Sequence, residues 1–166
     1  MKAISKFFVI EKQHVNTVFR ERNLLAFLVS PFLCNLNYAF QNERNLYMLM
    51  DLCRGGDLKL YLKGDNKYVK RFDEELRSLP SKLEAAAKFY AAQVLLALEF
   101  LHIRNILHHD VKPANILMRL NGYVKLADLG VAQQTQKGFS KKFSGTPGYV
   151  HAPSSSERTT FACCWL

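Results

Sequence analysis

Residues 107–130 read LHHDVKPANILMRLNGYVKLADLG. Four polar side chains punctuate this stretch: Asp110, Lys112, Asn115 and, beyond a hairpin, Asp128. Ile116–Leu120 and Tyr123–Ala127 read as two short strands. Asn121-Gly122 between them signals a tight turn, because both residue types tolerate positive φ. Folding back at that turn brings Asn115, before the first strand, beside Asp128, after the second. Asp110 and Lys112 lie on the loop just upstream. Oxygen ligands this close suit a hard cation such as Mg²⁺, which takes carboxylates together with phosphate oxygens. A neighbouring carboxylate and ammonium could then orient a hydroxyl and hold a phosphate.

The stretch resembles the catalytic core of eukaryotic protein kinases, whose pattern is H-R-D-L-x-x-x-N followed by D-F-G. It stands here as His108-His109-Asp110-Val111-Lys112-Pro113-Ala114-Asn115 and then Asp128-Leu129-Gly130. Each piece alone is weak, and a surface loop with scattered charges is the bland alternative. The polar residues in order around an Asn-Gly hairpin are specific. The resemblance implies an α+β, protein-kinase-like two-lobed fold, incomplete and cut at both ends. Residues 1–50 would be part of a strand-rich small lobe. Residues 51–153 would be the first part of a helical large lobe with the catalytic loop and activation segment. Residues 154–166 match nothing in the family.

A length of 166 residues suits one domain, and 49% hydrophobic with 22% charged residues reads as globular. Net charge is +9, from 23 Lys and Arg against 14 Asp and Glu. The basic residues are spread along the chain with no arginine-rich block. A solvated basic surface meeting ATP and acidic substrates is therefore preferred to nucleic-acid binding. The cysteines Cys34, Cys53, Cys163 and Cys164 show no zinc or disulfide spacing, so a reducing, cytoplasmic compartment is expected. Phe7–Ile10 is too short for a signal-peptide core, and no apolar run could span a membrane.

Met1–Lys6 reads as the end of a strand, and Val15–Leu28 as a helix. Val18, Leu25 and Leu28 share one stripe of that helix, and Glu21 sits in it. A carboxylate on a buried face is costly unless paired. The resemblance supplies Lys2 as the partner, and gives it the α- and β-phosphates of ATP to contact. Ser30-Pro31 ends the helix. Phe32–Phe40 and Leu46–Leu52 read as strands around a turn at Gln41–Asn45, the second one buried. Glycines at Gly55-Gly56 then break the run. By resemblance this is the hinge of the nucleotide pocket. The Asp51 carbonyl and the Cys53 amide and carbonyl would bond adenine, Met50 would guard the back, Leu117 would line the same pocket, and Asp57 would bond the ribose. Read alone, Asp57 is a helix N-cap for Leu58–Leu62.

Gly64–Pro80 has no clear period and reads as a surface insertion. Ser81-Lys82-Leu83-Glu84 is a capping box for a scaffold helix from Lys82 to Ile103, with Leu83, Ala87, Tyr90, Val94, Ala97 and Leu101 as its buried stripe. His108 reads as a core histidine bonded to backbone. By resemblance it stacks with Leu25, Leu36 and Leu129 in an apolar spine. Val131–Tyr149 would be the activation segment, and Ser144–Tyr149 matches the G-T-P-x-Y signature of serine/threonine kinases. Thr146 would touch Asp110 and Lys112.

Several features depart from the family. The glycine-rich phosphate loop has no counterpart upstream of Lys2, and Ser154 follows Ala152-Pro153 where Glu is usual. His109 replaces the arginine that holds a phosphorylated activation loop, and Lys142 stands where that phosphothreonine is common. The two changes agree and imply activity without phosphorylation of this loop. The Asn45–Leu58 run, the Asp128-Leu129-Gly130 triplet and the G-T-P-G-Y run resemble the AGC group, most of all the G-protein-coupled-receptor kinases. The implied reaction is transfer of the ATP γ-phosphoryl group to a protein Ser or Thr. Asp110 would be the base, Lys112 the phosphoryl-stabilising cation, and Asn115 and Asp128 the Mg²⁺ ligands. The alternative is a pseudokinase-like fragment that binds nucleotide or a partner without catalysis.

Overall fold

The computed structural model describes residues 1–63, 80–135, 139–140, 145–146, 149 and 160–161. The chain opens with strand β1 (Lys2–Ser5), helix α1 (Lys6–Glu11) and helix α2 (Val15–Phe27). Strands β2 (Leu36–Gln41) and β3 (Asn45–Met50) follow. They form a three-stranded antiparallel sheet in the order β1-β3-β2, with Lys2 opposite Met48 and Phe40 opposite Tyr47. Helix α1 has no sequence signal long enough to read, since six residues carry no period. Ser5 caps it by accepting from Phe8 N at 3.5 Å.

Both expected strands are shorter than the apolar runs that suggested them. β2 begins at Leu36, because the residues before it bond elsewhere. Leu126 N donates to Phe32 O at 2.8 Å and Cys34 N donates to Leu126 O at 2.9 Å, around a parallel bridge between Leu33 and Leu126. β3 stops at Met50, and of its residues only Met48 is buried. One face of this small sheet packs on the core through Ile4, Leu36, Met48 and Met50, while Tyr38, Phe40 and Leu49 stay exposed. An antiparallel sheet covered on one side gives that division.

Strand β4 (Gly56–Asp57) pairs antiparallel with β6 (Ile116–Met118), and β6 pairs with β7 (Val124–Leu126). The β6–β7 turn differs in type from the two-residue turn expected. Arg119 N donates to Tyr123 O and Gly122 N donates to Arg119 O, so Leu120, Asn121 and Gly122 form the loop. Only Gly122 takes positive φ, at 83°. This is a type I turn closed by a left-handed glycine. Asp57 caps α3 (Leu58–Lys63) as its N-cap reading predicted, with Leu60 N donating to Asp57 Oδ1 at 3.0 Å.

Helix α4 (Pro80–His102) starts before the expected capping box, so Ser81 lies inside it. Proline suits a first turn, where its missing N–H costs nothing. Ala97 and Leu101 are fully buried and Tyr90 and Val94 pack partly, but Ala87 is exposed. Gln93, which the apolar stripe did not include, is buried: its Oε1 accepts from Val124 N at 2.9 Å. Strand β5 (Ile106–Leu107) pairs with β8 (Gln133–Gln134), and β9 (Phe139–Ser140) with β10 (Thr160–Phe161). One core joins these layers, centred on Leu25, Leu28, Leu33, Leu101, Leu126 and Leu129. The insertion at residues 64–79 and the side chain of Leu83 lie outside the described residues. No described helix is long and apolar enough to cross a membrane.

Gly55 lets the segment after β3 lie directly on β6. Its N–H donates to Met118 O at 2.9 Å. A Cβ there would stand 2.7 Å from both Met118 Cβ and Met118 O. The backbone oxygen cannot yield cheaply, so Gly55→Ala is expected to destabilise the chain by about 1–3 kcal/mol. Urea unfolding measures it, and an unchanged midpoint would contradict this packing.

Candidate active site

The loop after β5 is shaped by His108. Its Nδ1 accepts from Asp110 N at 3.2 Å, which leaves Nε2 to donate to Ala127 O at 3.1 Å. Burial holds its pKa below the ordinary value, so the ring is neutral. The sequence reading of a core histidine bonded to backbone agrees with this. Leu25 and Leu129 lie in the buried core, with Leu36 packed partly against it. His109 takes positive φ at 65°, and Asp128 does so at 66°. Left-handed non-glycine residues cost about 1 kcal/mol or more, and the surrounding bonds hold them there.

Asp110 is the centre of the site. Its Oδ2 accepts from Lys112 Nζ at 2.7 Å and from Asn115 Nδ2 at 3.0 Å. Its Oδ1 accepts from Thr146 N at 3.1 Å and from the Thr146 hydroxyl. Lys112 Nζ also reaches Thr146 Oγ1 at 2.6 Å. Burial pushes the Asp110 carboxyl up, but the bonds from Lys112, Thr146 and Asn115 outweigh it and hold the pKa below the usual value. Asp110 is thus an ionised carboxylate with every nearby donor aimed at it.

Asn115 ends a short 3₁₀ turn (Pro113–Asn115), and its backbone oxygen accepts from Ala127 N at 2.8 Å. The β6–β7 hairpin therefore sets Asn115 against the residue preceding Asp128. Asn115 Nδ2 is spent on Asp110, while its Oδ1 takes no hydrogen bond from the described residues. Asp128 is exposed, with one carboxylate oxygen accepting from Gly130 N at 3.3 Å. An amide oxygen and a carboxylate left open in this way fit a hard divalent cation. Among the described residues no group of three or more His, Cys, Asp or Glu offers another metal site.

Lys2 and Glu21 meet as the resemblance implies, Nζ to Oε1 at 2.6 Å. Glu21 is buried on α2, whereas Lys2 is half-exposed. Gly130 lies between this pair and Asp128. A Cβ on it would stand 3.1 Å from Asp128 Oδ1 and 3.7 Å from Glu21 Oε2. Arg20, which the sequence did not single out, reaches Gly130 O at 3.5 Å.

The remaining expected residues line the segment after β3. Met50 packs against the core, and Leu117 lies opposite Asp57 across the β4–β6 ladder. The Asp51 carbonyl accepts a weak bond from Cys34 Sγ at 3.6 Å, and the Cys53 carbonyl a long one from Gly56 N at 3.5 Å. Burial, then the neighbouring Cys53 and Asp51, push the Cys34 thiol up to about 11. Sequence reading missed Lys125. Its ammonium is buried and bonds Asp51 Oδ2 at 2.7 Å and Leu33 O at 2.9 Å. The signal was a lysine inside a buried strand together with Asp51, the one charge in an apolar run.

Of the proposed activation segment, Thr135 bonds Asn105 O at 3.3 Å and Ser140 lies in β9. Lys137, Gly138, Lys141, Lys142, Ser144 and the tail cysteines lie outside the described residues. The His109 Nε2 atom is buried with no partner among the described residues.

The imidazoles of His102, His108 and His109 all have pKa values lowered by burial. The unfolded chain therefore binds protons that the folded chain refuses, so stability is full above the ordinary histidine pKa of 6.5 and is lost as pH falls through it. The melting temperature is expected to fall between about pH 7.5 and about pH 5.5, and His108→Asn to lose part of that dependence. Scanning calorimetry across this range checks it, and a flat profile would contradict the buried neutral ring.

A family model described as the protein kinase domain matches residues 1–158. The chain is 34% identical over 153 residues to a RAC family serine/threonine-protein kinase homolog of Dictyostelium discoideum, covering 90% of this chain and 31% of that protein. It is 34% identical over 152 residues to the cAMP-dependent protein kinase catalytic subunit of the same organism, covering 90% and 21%. Against human Rho-associated protein kinase 1 it is 37% identical over 153 residues, covering 90% and 10%. The chain thus spans between a tenth and a third of the length of these curated relatives.

Proposed function

Because the chain belongs to the protein kinase domain family, we propose that it transfers the γ-phosphoryl group of ATP to serine or threonine hydroxyls of proteins. The observation that carries this reading is the bonded set around Asp110. An ionised carboxylate, an ammonium and a threonine hydroxyl converge within hydrogen-bond distance of one another. Asp110 accepts the proton of the acceptor hydroxyl and orients its oxygen. Lys112 lies close enough to neutralise charge on the transferring group. Thr146 shapes the acceptor side, and with Lys112 it supports Ser/Thr over Tyr acceptors. Positioning and charge neutralisation are the main work that this reaction asks of a protein.

Asn115 and Asp128 are the residues that would hold Mg²⁺, which when bound supplies charge neutralisation to the phosphate oxygens. Lys2, held by Glu21, contacts the α- and β-phosphates. Met50, the Asp51 carbonyl, the Cys53 backbone and Leu117 form the adenine pocket, and Asp57 faces the ribose. In this reading residues 1–50 are the small lobe and residues 51–153 the large one. Leu129 within the Asp-Leu-Gly triplet and the Asn45–Leu58 run support placing the chain near the G-protein-coupled-receptor kinases within the AGC group. The His109 imidazole, a poor phosphate clamp when neutral, supports activity without loop phosphorylation.

Radiolabelled ATP with a degenerate Ser/Thr peptide mixture tests the activity. The unsubstituted chain is expected to label peptides, and Asp110→Asn to lower the rate by about 10²–10⁴-fold. Lys2→Met should raise the KM for ATP. Saturable nucleotide binding without transfer to any peptide would overturn the reading in favour of a binding module.

A further inference from the structure

Strand β7 carries Lys125 between Val124 and Leu126, and all three residues are buried. The strand leads within two residues to Asp128. The Lys125 ammonium reaches back to the far end of the site, where it bonds Asp51 Oδ2 at 2.7 Å and Leu33 O at 2.9 Å. Asp51 follows β3 directly. Its carboxylate also accepts from Asn35 N and Asn35 Nδ2, each at 3.2 Å, and from Asn37 Nδ2 at 3.3 Å. Its backbone N–H donates to Asn35 O at 3.0 Å. The residue is therefore gripped at its side chain and its amide, and its carbonyl, which accepts a weak bond from Cys34 Sγ at 3.6 Å, is held in a fixed direction.

Stability alone does not account for this pair. The Lys125 side chain is buried and that of Asp51 only partly so, and replacing an ion pair whose charges have been taken out of water with apolar side chains of similar size is often neutral or stabilising, because the desolvation is costly. What the pair supplies that leucine and methionine cannot is direction. We propose that Lys125 is a positioning residue that holds Asp51 so that its carbonyl faces the 6-amino group of a purine, in register with Asp128 at the phosphate end. This rests on the ATP-binding reading above. It assigns purine selectivity to a lysine that touches no ligand. A 6-amino purine donates to the Asp51 carbonyl. A 6-oxo purine would set oxygen against oxygen there and leave the carbonyl with only its weak bond from Cys34 Sγ.

Isothermal titration of the full chain with Mg·ATP and Mg·GTP tests this. The unsubstituted chain is expected to prefer ATP. Lys125→Met, which leaves the Asp51 carboxylate unpaired, is expected to lose about tenfold of that preference, the worth of one hydrogen bond. The double variant Lys125→Met/Asp51→Leu removes both charges. Its urea midpoint should return toward that of the parent while the ATP preference stays lost. A purely structural role predicts that selectivity returns with stability, so a double variant that discriminates as the parent does would overturn the inference. It is likewise overturned if Lys125→Met keeps the preference, or if the parent binds ATP and GTP alike, and in either case ATP binding itself stands. A parent that binds neither nucleotide overturns both readings.

Discussion

The fold turns on two hydrogen bonds at Leu126. Its N–H donates to Phe32 O at 2.8 Å and its carbonyl accepts from Cys34 N at 2.9 Å. The segment after α2 is thereby stitched onto β7 as a parallel bridge, with Leu33 and Leu126 both buried at its centre. The same segment continues into β2, and β7 continues toward Asp128. One short contact thus fixes the first sheet relative to the hairpin that carries the polar site. Without it Lys125 could not reach Asp51, and Leu25 and Leu28 would lose the surface they pack on.

Within the site the governing constraint is that a partly buried carboxylate must be satisfied. Asp110 takes donors on both oxygens, and three residues from two separate stretches supply them. Lys112 and Asn115 come from its own loop, and Thr146 from a distant one. The cost of burying the charge becomes a means of assembly, since each donor that stabilises Asp110 is also placed by it. Asn115 shows the economy of this arrangement: its amide nitrogen serves Asp110 and its oxygen is left open.

Much of this was legible in the sequence, and the reasons differ by element. Residues 107–130 were readable because turn chemistry and residue spacing are local, so the hairpin placed Asn115 near Asp128 from first principles. The Lys2–Glu21 pair was readable in two steps: a carboxylate in an apolar helical stripe demands a partner, and the family resemblance supplied Lys2. The strand limits at Phe32 and Leu52 failed because apolar runs record burial, not which neighbour the backbone bonds. Helix α1 was invisible because six residues show no period. Lys125 escaped because its partner is 74 positions away: the lysine in a buried strand and the lone acid in an apolar run each mark a charge that needs a partner, but nothing local joins the two. Gln93 was lost for the same reason, being a helix residue that serves the edge of a distant strand.

Three lysines make charge-paired contacts in or beside the site, and their exposure separates their roles. The Lys112 side chain is 22% exposed beside Asp110 and the Lys2 side chain 36% exposed beside Glu21. Each is paired on one side and open on the other, so each can hand part of its charge to an arriving phosphate at little cost in reorganisation. The Lys125 side chain is only 8% exposed, and its ammonium is bonded to Asp51 and Leu33. Its charge is already met by the Asp51 carboxylate. The two accessible lysines suit a ligand that comes and goes, whereas a sealed one can act only on what the protein already holds. A mobile ammonium in water would leave Asp51 held by Asn35 and Asn37 alone. A desolvated ammonium, bonded to both Asp51 and the backbone of the segment that follows α2, makes the direction of the Asp51 carbonyl part of the fold.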